Sequence, residues 1–241
     1  MLFFRNIVAI VFLTVPVFTS QGQKWARELR AFYTESDSCV TIFRDPDRAI
    51  SQIILVRHAE PDLDKKGWRN RKEAIHYFRE YDSSGVIPFP QAPICTGTLV
   101  DPVIYSSALP RAAQTAYGTF NNGFKIKEND RFREFERKVM KFCNVKMPLK
   151  CWTINSRLLW FLGMNDKGIE RFRMAKERAR GNAAFLAEES SRHEQVVLVA
   201  HGLHNYAVTQ AISELLSQGE IQKIENSTGV SLYYAVNNET R

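Results

Sequence analysis

Residues 51–61 read SQIILVRHAEP. The run Ile53-Ile54-Leu55-Val56 is apolar without alternation and mostly β-branched, as in a strand covered on both faces. An Arg-His pair follows at once, then loop residues that include Pro61 and Gly67. The same device recurs downstream. In residues 101–107, DPVIYSS, a short apolar strand ends in Ser106 and Ser107. In residues 195–201, QVVLVAH, a second unbroken strand ends in His201. Helical patterns lie between the strands. Ala74, Tyr77, Phe78 and Tyr81 share one face of a helix predicted over 68–81. Leu109, Ala112, Ala116 and Phe120 share one over 109–120, with Pro110 in the first turn, where proline is tolerated. A long helix is expected over 165–190, with Ile169, Phe172, Ala175, Ala179, Ala183 and Leu186 inward, and another over 203–216. Residues 124–128 and 230–236 read as further strands. Residues 129–164 read as an irregular, aromatic insertion over one end of the sheet. Strands alternating with helices define an α/β chain: a three-layer sandwich with a mostly parallel central sheet flanked by helices.

In such a sheet, ligands bind beyond the carboxyl ends of the strands. Three strands deliver polar residues to that rim: Arg57 and His58, Ser107 with Arg111 one turn further on, and His201. Cations are costly to crowd at a partly buried site. A dianionic phosphoryl group offsets that repulsion, and the planar fork of arginine matches its oxygens. Two arginines and one imidazole can hold three oxygens while the other imidazole approaches phosphorus. Nearby cations keep His58 neutral and nucleophilic. This arrangement supplies positioning and charge without a metal or cofactor, and no metal-ligand spacing occurs in the chain.

The 241 residues suit a single domain. A formal charge of +7 favours anionic partners, although a basic solvated surface explains it equally. No nucleic-acid module is recognisable, so no nucleic-acid partner is expected. The N-terminus reads MLFFRN, then an apolar run over 7–18, then TSQGQ. This is the pattern of a secretory signal peptide over residues 1–22, with Ser20 and Gly22 at the small-residue positions. It predicts an exported protein, periplasmic or secreted, with no stable membrane span after cleavage and an anchor if cleavage fails. The mature domain then covers 23–241, with a short outer helix within 23–50 and insertions around 60–100 and 129–164. An oxidising compartment permits disulfides among Cys39, Cys95, Cys143 and Cys151, in any of three pairings.

IILVRHAEP, VIYSSALPRAAQTA, DRFREFE and VVLVAHG, in that order, resemble the successive motifs of the histidine phosphatase superfamily, in its phosphoglycerate-mutase-like branch. The resemblance spans residues 52 to about 236. It implies a metal-independent, histidine acid-type phosphomonoesterase that turns over a small phosphorylated substrate. It implies His58 as the phosphorylated nucleophile, and Arg57, Arg111 and His201 as the phosphate pocket, to which Ser107 belongs. It implies Glu134 as the acid that protonates the leaving oxygen, with Glu136 the competitor two residues on. Two positions depart from the pattern: Ala59 replaces the usual glycine, and Asp64 stands where many relatives carry asparagine. Phosphoglycerate-mutase-type transfer and a degenerate phosphate-binding protein are the alternatives. FREFERKVMKFCNVK lacks the longer mutase insertion, and the full set of reactive residues argues against degeneracy.

Other basic residues have simpler readings. Arg131, Arg133, Arg137, Lys138 and Lys141 read as a solvated face or as a substrate-steering patch. Lys176, Arg178 and Arg180 read as an exposed helix face, and His76, His193 and His204 as surface or structural histidines.

Overall fold

In the computed structural model the two unbroken apolar runs lie side by side. The structure describes residues 51–89, 94, 99–120, 123–141, 145–215, 220–225 and 231–237. The leader over 1–22, the helix expected within 23–50, and Cys39, Cys95 and Cys143 lie outside the described residues. In chain order the elements are β1 (Ser51–Arg57), β2 (Trp68–Arg69), α1 (Arg71–Ser83), β3 (Val103–Ser107), α2 (Pro110–Phe120) and β4 (Ile126–Asn129). Then follow β5 (Met147–Pro148), α3 (Leu149–Phe161), α4 (Phe172–Arg192), β6 (Gln195–Ala200), α5 (Gly202–Leu215), β7 (Glu220–Glu225) and β8 (Ser231–Asn237).

The main sheet has the order β4-β3-β6-β1-β8-β7. The four strands β4, β3, β6 and β1 are parallel, and β8 and β7 continue the sheet antiparallel. The register sets Arg57 opposite Ala200, and Ser106 opposite Val199. The carboxyl ends of β1, β3 and β6 therefore reach one rim together. The pleat sorts the core into two layers. Ile53 and Leu55, with Val196 and Leu198, face Ala179, Ala183 and Leu186 of α4 and Val208 and Ile212 of α5. Ile54 and Val56, with Val197 and Val199, face Ala116 and Phe120 of α2. Both faces are covered, which is why these strands lack polar alternation.

A third cluster lies apart from the sheet. Ala74, Tyr77 and Phe78 of α1 meet Leu149 and Trp152 of α3, with Val139 and Met140 between them. The Trp152 indole N–H donates to Arg69 O at 2.7 Å, and β2 pairs antiparallel with β5. The two insertions thus pack on one another rather than hanging separately over the sheet.

Several expectations need correction. The helix expected from Trp68 starts at Arg71, because Asn70 and Glu73 form a reciprocal capping box; Trp68 lies in β2, exposed. Residues 129–164 are not irregular throughout: they hold a 3-10 turn at Asp130–Phe132 and the whole of α3. Leu149, Trp152, Ser156 and Trp160 are its buried seam. The helix expected from 165 begins at Phe172, since Gly168 takes φ +83°, a left-handed turn that helix geometry cannot contain. The strand expected over 124–128 is Ile126–Asn129, and β7 was not foreseen at all.

Candidate active site

Backbone pairing builds the site. The His58 N–H donates to Ala200 O at 2.9 Å, carrying the β1–β6 ladder one residue past the strand end. The Ala59 N–H donates to Thr115 Oγ1 at 2.9 Å, and that hydroxyl donates to Arg111 O at 2.6 Å. The first turn of α2 is therefore fastened to the residue after His58. His58 and His201 stand with ring centroids 5.1 Å apart.

The protonation of each ring follows from its partners. His58 Nδ1 lies 2.7 Å from Ala59 O. A carbonyl only accepts, so Nδ1 carries the proton and Nε2 keeps its lone pair. Burial lowers the His58 pKa to about 3; the bond to Ala59 opposes this, and Arg57, Arg111 and Lys65 add to it. His201 is lowered as well, chiefly by burial and then by His58 and Arg111. The Ser107 hydroxyl accepts from Leu109 N–H at 3.3 Å and lies 2.9 Å from His201 Nε2. We assign Ser107 as the donor to Nε2. This leaves the His201 proton on Nδ1, which is buried with no hydrogen-bond partner among the described residues.

Arg111 is fully buried. Its Nη1 donates to Tyr81 O at 2.8 Å, and the guanidinium lies over the Tyr81 ring. Its Nη2 is 3.8 Å from Asp82, beyond hydrogen-bond range, and neither Nε nor Nη2 has a hydrogen-bond partner among the described residues. Arg57 is exposed, and its side chain crosses the start of α5 so closely that a Cβ on Gly202 would stand 3.4 Å from Nε. Arg57, His58, Ser107, Arg111 and His201 are all brought to the rim expected of them.

Glu134 lies on the loop after the 3-10 turn, within electrostatic reach of Arg137, Arg157 and Asp82. No hydrogen bond joins it to His58; its Oε1 accepts from Phe135 N–H at 2.8 Å. Glu136 is committed elsewhere, accepting from Glu170 N–H at 2.5 Å. Two arginines that sequence reading missed hold this loop. Arg157 donates to the carbonyls of Phe135 and Glu136, each at 2.7 Å. Arg178 donates to the carbonyls of Arg131 and Arg133, each at 2.9 Å, and pairs with Glu170. Arg178 is thus not on an exposed helix face: its side chain is 15% exposed. The 131–141 cluster is not one solvated face either. Arg131 stacks on Phe185, and Arg137 lies 3.9 Å over Phe78 with a buried, unpartnered Nε. Asp64 accepts from Lys66 N–H in an exposed turn, and Cys151 is a free thiol. Among the described residues no His, Cys, Asp or Glu group could hold a metal ion, and no helix is long and apolar enough to cross a membrane.

His204 is structural, fully buried with its Nε2 2.9 Å from Asn182 Nδ2, and burial lowers its pKa to about 3. Buried neutral histidines have a consequence for stability. Below pH 6.5 the unfolded chain takes up protons that folded His58, His201 and His204 refuse. Stability is thus complete above the unfolded pKa and lost as pH falls toward the folded one. His58 and His204, lowered to about 3, should each cost about 1.5 kcal/mol between pH 6.5 and 5, and His201 acts in the same direction. Urea midpoints at the two pH values check this, and His204→Gln should flatten the difference. An unchanged midpoint between pH 6.5 and 5 would contradict it.

The model of the histidine phosphatase superfamily (branch 1) matches residues 96–235. The chain belongs to this superfamily. The matched span includes Ser107, Arg111, Glu134 and His201, while Arg57 and His58 precede it and are tied to it by the β1–β6 pairing. Among curated proteins none matches. Among solved structures the chain is similar to a mycobacterial glucosyl-3-phosphoglycerate phosphatase, with 20% identity over 70% of this chain and 80% of that one and a TM-score of 0.46. It is also similar to a phosphoserine phosphatase of Entamoeba histolytica, with 18% identity over 69% and 80% and a TM-score of 0.41.

Proposed function

We propose that the chain is a phosphomonoester hydrolase that works through a phosphohistidine on His58. One observation carries this reading. Three buried donors without acceptors among the described residues, Arg111 Nε, Arg111 Nη2 and His201 Nδ1, accompany an imidazole, His58, whose Nε2 keeps its lone pair. Unsatisfied buried donors are costly, and a charged one more so. A phosphoryl group answers all of them with its three non-bridging oxygens, and Arg57 adds charge from the solvent side. Attack by His58 Nε2 forms the N–P bond as the ester P–O bond breaks. Glu134 gives its proton to the leaving oxygen. Glu134 then takes a proton from water as that water attacks phosphorus, and the N–P bond breaks to return His58. Each non-bridging oxygen stays paired with a fixed donor through both steps, so little reorganisation is needed. We propose a small phosphorylated substrate, export through the 1–22 leader, and activity that survives a chelator, since arginines supply the charge that a metal would.

The test is phosphate release by wild type and Arg111→Met, with and without EDTA. The variant should lose about 10²–10³-fold in kcat/KM. Losing a buried cation with two unpaired nitrogens should leave the thermal midpoint of the ligand-free protein unchanged or higher. Near-normal activity, or a large EDTA effect reversed by a divalent metal, would contradict the reading.

A further inference from the structure

A cavity of about 220 Å³ lies between α1 and the chain at 137–139. Arg71, Arg79, Arg137 and Lys138 line it with Phe78, and Asp82 is its one carboxylate. Four cations against one carboxylate is a strong imbalance in a recess. The cations are also poorly paired. The Arg71 Nε and the Lys138 Nζ donate only to backbone carbonyls, of Met140 and Lys167. Among the described residues, Arg137 Nε is buried without a hydrogen-bond partner and Arg79 has no ion pair. Asp82 joins the two regions: it lines this cavity and faces Arg111 Nη2 at 3.8 Å. Phe78, Ile75 and Val139 give the recess an apolar wall.

We infer that this cavity receives the leaving-group half of the substrate, and that this half carries a second anionic group, a carboxylate or a phosphate, on an apolar body. The inference rests on the phosphatase reading for its chemistry and on the cavity for its specificity. The second anion meets the cationic lining of Arg71, Arg79, Arg137 and Lys138, with the exposed Arg79 nearest solvent. The apolar body lies against Phe78. Neutral alcohols released from phosphate would leave these cations with water alone, so the site discriminates by charge. An anion held by guanidinium groups gains charge-assisted hydrogen bonds, and one such bond is worth about tenfold in affinity.

Benzyl phosphate, 4-carboxybenzyl phosphate and the bisphosphate of 1,4-benzenedimethanol test this, since their reacting phosphates are alike and their far ends differ. The wild type should favour one or both of the probes with an anionic far end over benzyl phosphate by about tenfold in kcat/KM. The two probes separate carboxylate from phosphate as the natural anion. Arg79→Gln and Lys138→Gln, which lie outside the proposed catalytic set, should erase most of that preference and leave benzyl phosphate within about twofold. Binding of the same three probes to His58→Ala by calorimetry reads the cavity even if no turnover occurs. Inert wild type with the binding preference intact overturns the phosphatase reading alone. Equal affinity for all three probes, or equal losses in the two variants for all three, overturns the cavity assignment.

Discussion

His58→Ala should lower turnover of every phosphomonoester by about 10⁴–10⁶-fold, the scale seen when a covalent nucleophile is removed. The magnitude follows from the proposed covalent role: on that proposal Arg111, Arg57 and His201 would still bind phosphate, but nothing would replace Nε2 in line with the ester bond. The structure should survive, because the ring's polar bond is to its own neighbour, Ala59, and the His58 backbone N–H to Ala200 is kept. The variant should also lose less stability between pH 6.5 and 5 than wild type, since one buried neutral imidazole is gone. Rates and far-UV circular dichroism of the two proteins check both points. A folded variant with substantial activity would remove His58 from the mechanism.

Glu134→Gln is the second large effect, and its size should depend on the leaving group. An alkoxide needs a proton as it departs, and hydrolysis of an alkyl phosphate should slow by about 10²–10⁴-fold. p-Nitrophenyl phosphate releases a stable phenolate, so its phosphorylation step should suffer far less. Rapid-quench measurement of that step keeps any slowing of the water attack separate. Glu136→Gln gives the control. Its carboxylate accepts from Glu170 N–H, so that variant should lose stability rather than leaving-group selectivity. Equal losses for both substrates in Glu134→Gln would show that another group supplies the proton, with Asp82, near Arg111, the next to test.

The rim residues were legible because each ends an unbroken apolar strand, and a strand covered on both faces can show polarity only at its ends. That pattern placed Arg57, His58, Ser107 and His201 before any contact was known, and the parallel register then brought them together. Other features had no such signal. The buried seam of α3 passes through Ser156, a polar residue that interrupts the helical repeat of Leu149, Trp152 and Trp160. Ile221 and Ile224 are three apart in β7, so no two-residue alternation marks that strand, and its pairing with β8 decides it. Arg178 sits between Lys176 and Arg180 in sequence and looks equally exposed. Only the fold reveals that it turns inward to hold the Glu134 loop. Glu134 and Glu136 both follow Phe132 at close spacing, and only the tertiary contact of Glu136 with Glu170 N–H sets them apart.

The central claim is that phosphate passes through His58, and the direct measurement is rapid-quench trapping with a phosphate-labelled alkyl ester, followed by peptide mapping under alkaline conditions that preserve phosphohistidine. The account predicts label on the peptide that carries His58, appearing before free phosphate and absent from His58→Ala. Label on another residue, or single-turnover phosphate release with the protein unlabelled at every time point, would contradict it.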